Sequence, residues 1–225
     1  MKINKVKITV GFDQVEAVAY HTFCQSIIDK SSVPVEFLPL AINTLDSYKE
    51  THNDGSNKFI YSRFLTPYLN NFEGWAIFAD GDMVCLDDIK NLWDLRDDRY
   101  AAMVVQHDYL TKSSKKYLGN KNENYPRKNW SSVILWNCSH PENRLLTPEF
   151  IQNKPGSYLH RFAWLKDAQI GALPIEWNWL DEYGENDKAK LVHYTNGIPG
   201  FTHYKTAPHG AEWHSYARTV TVGLM

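Results

Sequence analysis

The sequence predicts an α/β fold, on three observations. A strand, a helix and a second strand follow one another at the front of the chain, over 6–10, up to about 30 and over 35–40. A further apolar strand, 75–79, runs straight into Asp80-Gly81-Asp82. The 225 residues are 43% hydrophobic and 22% charged, enough apolar material for one domain with a core and too much for a disordered chain.

The elements follow in order. Residues 6–10 alternate and are β-branched, which reads as a strand. Gly11-Phe12-Asp13 ends it. Asp13 and Glu16 have capping-box spacing, and Val15, Val18, Ala19, Thr22, Phe23 and Ile27 recur at helical intervals to about Lys30. With the strand at 35–40 this implies a parallel pair joined by a right-handed crossover. Residues 45–58 are polar and read as a mobile loop. A short helix over 59–69 carries Arg63, and 75–79 is the strand that delivers the two aspartates. A short helix over 87–95 and a strand over 101–106 follow. Residues 111–129 are basic and polar (Lys112, Lys115, Lys116, Lys121, Arg127, Lys128) and read as a loop or insertion. Residues 131–136 form a strand ending in Asn137. Residues 148–164 read as mostly helical and 167–173 as a helical turn before Pro174. A last short strand, 191–194, precedes the turn Asn196-Gly197-Ile198-Pro199-Gly200.

Composition narrows the function. A net charge of −2 argues against a protein that lives on phosphate backbones, so no nucleic-acid partner is expected. Cys24, Cys85 and Cys138 lie far apart with no C-x-x-C, which suggests neither a zinc ribbon nor a disulfide scaffold and points to a reducing, cytoplasmic location. The first apolar run is too short for a secretory signal, and no run approaches the ~20 residues of a membrane span. Eight Trp and thirteen Tyr could stack on sugars or bases, although most are expected to fill the core.

The chemistry converges on the strand ends. In open α/β sheets ligands bind beyond the C-terminal ends of the strands. Asp80 and Asp82 occupy alternate positions there and face the same way. Two carboxylates so close repel unless a cation sits between them, and relief of that repulsion would let the loss of Asp80 raise stability. A divalent ion held by them can carry a diphosphate. His193, at another strand end, is a candidate third ligand; carboxylates with imidazole suit manganese, with magnesium as the alternative. A bare acidic turn and a hydrogen-bonded core histidine are the plain alternatives.

With these residues in place the chain resembles the GT-A glycosyltransferases, most closely glycosyltransferase family 8 and its small bacterial relatives. The resemblance runs in order through Gly11-Phe12-Asp13, Tyr61-Ser62-Arg63-Phe64, Phe78 to Val84, Leu86 to Ile89, the strand ending in Asn137, Leu173 to Asn178, and His193 to Gly197. It implies a single GT-A-like, Rossmann-like domain over 1–225, with a mixed central sheet flanked by helices. It also implies a metal-dependent hexosyltransferase that takes a sugar from a nucleotide-sugar donor, a UDP-sugar foremost, and passes it with retention to a glycan, lipid or protein acceptor. By position, Asp80, Asp82 and His193 would be the metal ligands, and Phe12 and Asp13 would hold the base. Arg63, Asp80, Gly81 and the Gly197 turn would meet the donor.

The chain also departs from the family pattern. Pro199 stands where the family has its phosphate-binding lysine, Phe201 where it has a tryptophan, and Lys205 is the substitute offered for that lysine. The family's D-Q-D is loosely echoed by Asp167-Ala168-Gln169, so Asp167, Gln169 and Asn178 are the candidates for a catalytic wall facing the sugar. Helix caps or core hydrogen bonds are the equal alternative for each. One of the two polar segments, 111–129 above all, is expected to close over the donor. A sugar nucleotidyltransferase would want a Gly-rich, Lys-bearing loop after the first strand, and Gly11-Phe12-Asp13-Gln14 has neither. A non-catalytic carbohydrate-binding protein would not need the aspartate pair and His193 to meet.

Overall fold

The computed structural model describes residues 5–53, 57–108 and 126–221. Strand β1 (Val6–Gly11) leads through a 3-10 turn into helix α1 (Ala17–Lys30), and β2 (Val35–Leu40) returns parallel to β1, with Val6 beside Val35 and Gly11 beside Leu40. Asp13 caps the entry to α1, its Oδ1 accepting from the Val15 N–H at 3.1 Å. Glu16, three residues on, is buried.

A 3-10 turn, Ser62–Leu65, continues into α2 (Thr66–Leu69), where one helix was expected over 59–69. Then come β3 (Trp75–Ala79), β4 (Met83–Cys85), α3 (Ile89–Trp93), β5 (Ala102–Val104) and β6 (Val133–Asn137). The region read as mostly helical over 148–164 holds only α4 (Pro148–Gln152) and α5 (Gly156–Leu159). Pro155, which cannot donate a helix hydrogen bond, separates them. The helical turn expected over 167–173 is corrected: a 3-10 turn, Asp167–Gln169, gives way to strand β7 (Ile170–Ala172), drawn straight by pairing with β5. Strands β8 (Trp179–Leu180) and β9 (Leu191–His193) and helix α6 (Gly210–Thr221) complete the chain.

Six strands form one sheet in the order β2-β1-β3-β6-β5-β7. Only β6 runs antiparallel to its neighbours, so the sheet is mixed. Side chains alternate between two buried faces. Ala76, Phe78, Ile134 and Trp136 pack with Phe64, Ile151 and Leu159 on one side. Ile77, Ala79, Val133 and Leu135 pack with Phe23, Ile27, Ile89 and Trp93 on the other. Because β1, β3, β5 and β7 are mutually parallel, their C-terminal ends share one edge, and Ser131 and Ser132 reach that edge as the lead into β6.

A second sheet, β4-β9-β8, grows from the chain just past Asp82. The two meet tightly: a Cβ on Gly81 would lie 2.4 Å from the Gly11 carbonyl oxygen, so only glycine lets the ends of β1 and β3 come this close. Of the two polar segments, 54–56 and 111–125 lie outside the described residues. The remainder of the first is anchored: Tyr48 is buried, Gln152 Nε2 donates to the Lys49 carbonyl at 2.7 Å, and Thr51 Oγ1 donates to the Gln152 carbonyl.

Candidate active site

Two backbone registers build the site. Asp80 follows β3, and its N–H donates to the Ser132 carbonyl at 2.9 Å. The Tyr194 N–H donates to the Asp82 carbonyl at 3.0 Å, and Met83 pairs with His193 across β4 and β9. The pairing lays His193 beside the aspartates. Its Nε2 is 3.5 Å from Asp82 Oδ1 and 3.8 Å from Asp80 Oδ2. The three ligand atoms lie within 4.8 Å of one another. A single ion with bonds of about 2.0–2.3 Å spaces opposite ligands by up to about 4.6 Å, so this donor set of two carboxylates and an imidazole fits one divalent ion. Asp80 and His193 are buried, while Asp82 keeps partial access to solvent.

Arg63 is buried at 4% exposure and reaches Asp80 Oδ1 at 2.9 Å through one terminal nitrogen. The same nitrogen donates to the Ser131 carbonyl at 2.9 Å and Nε donates to the Ile60 carbonyl at 3.0 Å. The guanidinium lies over the rings of Phe59 and Phe78. This overturns the expectation that loss of Asp80 would relieve repulsion. Asp80 neutralises a buried guanidinium, and its loss would strand that charge, which generally costs about 3–5 kcal/mol.

Two adjoining cavities sit over this edge and share Asn57 and Ile60. The smaller, about 70 Å³, is walled by Arg63, Asp80, Asp82 and His193 on one side and by Asn129, Ser131, Ser132 and His160 on the other. The larger, about 300 Å³, is bordered by Asp13, Glu50, His52, Lys58 and Tyr61. Asp13 thus serves both helix and cavity: its Oδ2 accepts from the Lys58 N–H at 3.1 Å. Phe12 packs edge-on to Tyr20 beside it.

The other predicted residues are dispersed. Gly197 sits in the turn after His193 with φ of 151°, and a Cβ there would meet the Tyr204 ring at 2.6 Å. Lys205 is exposed and lines neither cavity. Asp167 is exposed and pairs with Arg127 at 2.6 Å, so Arg127 is engaged away from the aspartates. Gln169 closes a local cap, its Oε1 accepting from the Lys166 N–H, and its carbonyl accepts from the Ala101 N–H. That places the Gln169 backbone on the edge shared by Ala101 and Asn137, opposite Asp80. Asp167 and Gln169 therefore do not wall the cavity. Asn178 is fully buried behind it, its Nδ2 donating to the Asn129 carbonyl at 3.1 Å and to Ser132 Oγ at 2.9 Å. It braces the wall and does not face the interior.

Sequence reasoning missed the far wall. Asn129 holds left-handed backbone (φ 65°) and turns the chain into the 3-10 stretch Trp130–Ser132. Ser131 Oγ lies 2.8 Å from His160 Nδ1. Burial, and then the Arg63 charge, push the His160 imidazole down to about 3, so it is neutral. Asp181, also unforeseen, accepts from the N–H and hydroxyl of Thr195 and fixes the turn after His193; burial pushes its carboxyl up to about 6. None of these carries a motif: Asn129 ends the polar stretch, and Ser131, expected to open the strand over 131–136, lies instead in the 3-10 turn before β6, which begins at Val133.

Comparisons with known proteins found relatives both in sequence and in fold. A model of glycosyl transferase family 8 matches residues 3–138. Protein CDI of Arabidopsis thaliana is 44% identical over 217 residues, covering 92% of this chain and 84% of that protein. Among solved structures, the apo WbbM bifunctional glycosyltransferase superposes with a TM-score of 0.69 at 14% identity, over 96% of this chain. The galactosyltransferase LgtC, in complex with donor and acceptor sugar analogues, superposes with a TM-score of 0.59 at 10% identity, over 95% of this chain and 96% of its own. The chain spans half the length of the WbbM chain. At these identities the structures show a shared fold, that of the GT-A glycosyltransferases.

Proposed function

The chain belongs to glycosyl transferase family 8, and from that premise we propose that residues 1–225 act as one catalytic domain that moves a hexosyl group from a nucleoside diphosphate sugar, a UDP-sugar foremost, to an acceptor hydroxyl with retention. The observation that carries the reading is the meeting of Asp80, Asp82 and His193 in a cavity that opens beside a second one large enough for a nucleoside. Asp80, Asp82 and His193 would hold a divalent ion, manganese before magnesium because one donor is imidazole. When bound, that ion supplies positive charge to the departing diphosphate, worth several kcal/mol.

The chain's own residues do the rest. Arg63 fixes the Asp80 carboxylate and the Ser131 backbone at once. Asp13, Lys58 and Tyr61 border the space for the nucleoside. Retention by double displacement needs a carboxylate nucleophile beneath the sugar. Among the described residues lining the smaller cavity the only carboxylates are Asp80 and Asp82, already engaged with Arg63 and His193. That supports a same-face exchange. The bond from anomeric carbon to phosphate oxygen breaks, the bond to the acceptor oxygen forms, and the acceptor's proton passes to the departing phosphate oxygen. Three buried free cysteines agree with a reducing, cytoplasmic setting.

A panel of nucleotide sugars with manganese, read as release of nucleoside diphosphate, tests the proposal. Asp82→Ala and excess EDTA should each lower turnover by about a hundredfold or more. Full turnover in either would overturn the metal-dependent mechanism.

A further inference from the structure

Opposite the aspartates, a second polar pair lines the same small cavity. Ser131 and His160 are 4% and 8% exposed, and both contribute to its wall with Asp80, Asp82 and His193. Ser131 Oγ and His160 Nδ1 are 2.8 Å apart. The imidazole is clamped edge-on by Phe64, with ring centroids 5.3 Å apart, and flanked by Tyr61 at 5.9 Å. The Ser131 backbone is fixed from the other side, since its carbonyl accepts from Arg63. Both partners thus have one position each.

Packing alone does not account for the pair. A histidine buried beside a guanidinium must give up its charge, and an apolar ring in that slot would avoid the desolvation of a second polar group. What the pair offers is a hydroxyl of set direction. A neutral imidazole has one N–H and one lone pair, and one of the two faces the serine. If Nδ1 accepts, the serine oxygen presents its lone pairs to the cavity; if Nδ1 donates, the serine hydroxyl proton turns there.

We propose that Ser131 is a specificity-determining contact that reads one hydroxyl of the sugar being transferred, and that His160 is the positioning residue that aims it. The proposal rests on the glycosyltransferase reading above and deepens it. The cavity, about 70 Å³, has room for an ion beside the oxygen-bearing edge of a pyranose. The ligand class is therefore a donor sugar with a hydroxyl on the edge that points toward Ser131, and the site should reject its deoxy analogue, because the hydrogen-bonding position that the buried serine turns to the cavity would go unmet.

The test measures kcat/KM for nucleoside diphosphate release in the wild type, Ser131→Ala, His160→Phe and His160→Asn. Each is measured with the best donor and with its full set of monodeoxy sugar analogues. Binding of the free nucleoside diphosphate with manganese is followed by calorimetry. Ser131→Ala and His160→Phe should lower kcat/KM for the best donor by about tenfold or more. They should leave binding of the free nucleotide within about twofold. One monodeoxy donor should lose a like factor in the wild type and lose nothing further in either variant. His160→Asn, whose amide lies where Nδ1 was, should recover part of that discrimination. Equal losses across every donor, or a parallel loss of nucleotide binding, would show a structural role and overturn the proposal; so would variants as active and selective as the wild type. A wild type that turns over no donor while binding nucleotide and metal overturns the transferase reading, and this contact with it.

Discussion

His160 lies among Tyr61, Phe64 and Arg63, and its pKa falls from 6.5 to about 3 through burial first and the neighbouring guanidinium second. The folded chain keeps the ring neutral over a range where the unfolded chain protonates it. Its contribution to stability is thus complete above pH 6.5 and is lost as the pH falls toward 3, by about 1.4 kcal/mol per pH unit. By pH 5 the loss is about 2 kcal/mol. His107 acts in the same direction, pushed down to about 4 by burial and then by His193. Asp181 acts in the opposite one: its pKa is raised to about 6, so its share is complete below 3.8 and is lost as the pH rises through 6. A comparison of the wild type with His160→Asn removes these common terms. Urea unfolding at pH 7.5 and pH 5.0, without metal, should show a drop in stability that is about 2 kcal/mol smaller in the variant. An equal drop in both proteins would mean that His160 does not stay neutral in the fold.

At the scale of elements, the site exists because the ends of β1 and β3 touch. A Cβ on Gly81 would sit 2.4 Å from the Gly11 carbonyl oxygen, a backbone atom held by the β1–β3 pairing. Gly81→Ala must therefore part the strands and should lower stability by about 1–3 kcal/mol, the range for overpacking. Because Asp80 and Asp82 flank this residue, manganese affinity measured by calorimetry should fall with it; unchanged stability and affinity would show that the strand ends give way freely. The sequence made β1, β2, β3, β5, β6 and β9 legible, since each lies in a run of apolar or alternating residues. It made Asp80 and Asp82 legible because they end such a run. Strands β4, β7 and β8, of three, three and two residues, were not foreseen; their partners in the sheets hold them extended. Tyr48 was hidden for a related reason: one aromatic in a polar stretch has no pattern, yet it pins that stretch to the core. Ser131 and His160 are brought together by tertiary packing alone, so no local signal could pair them.

For the whole molecule, the decisive feature is that the six-stranded sheet delivers Asp80 while the three-stranded sheet delivers His193. A ligand that bridges them binds only the folded arrangement, because in an unfolded chain these residues are distant along the sequence. Such a ligand stabilises by RT ln(1 + [L]/Kd), about 2.7 kcal/mol at one hundred times Kd. In a chain of 225 residues each kcal/mol moves the melting temperature by about 2–4 °C. Manganese with UDP should therefore raise Tm by about 5–10 °C. Manganese alone should do less, since it lacks the diphosphate oxygens that complete its shell. Asp82→Ala should remove nearly all of the shift and still fold, because Asp82 is partly exposed and, unlike Asp80, does not neutralise Arg63. His193→Ala should remove much of it as well, by cutting the link to the second sheet. Differential scanning with metal, nucleotide, both and EDTA checks this directly. A shift produced by a free sugar, indifferent to EDTA and retained in Asp82→Ala, would instead mark a carbohydrate-binding surface and detach the aspartate–histidine cluster from the ligand.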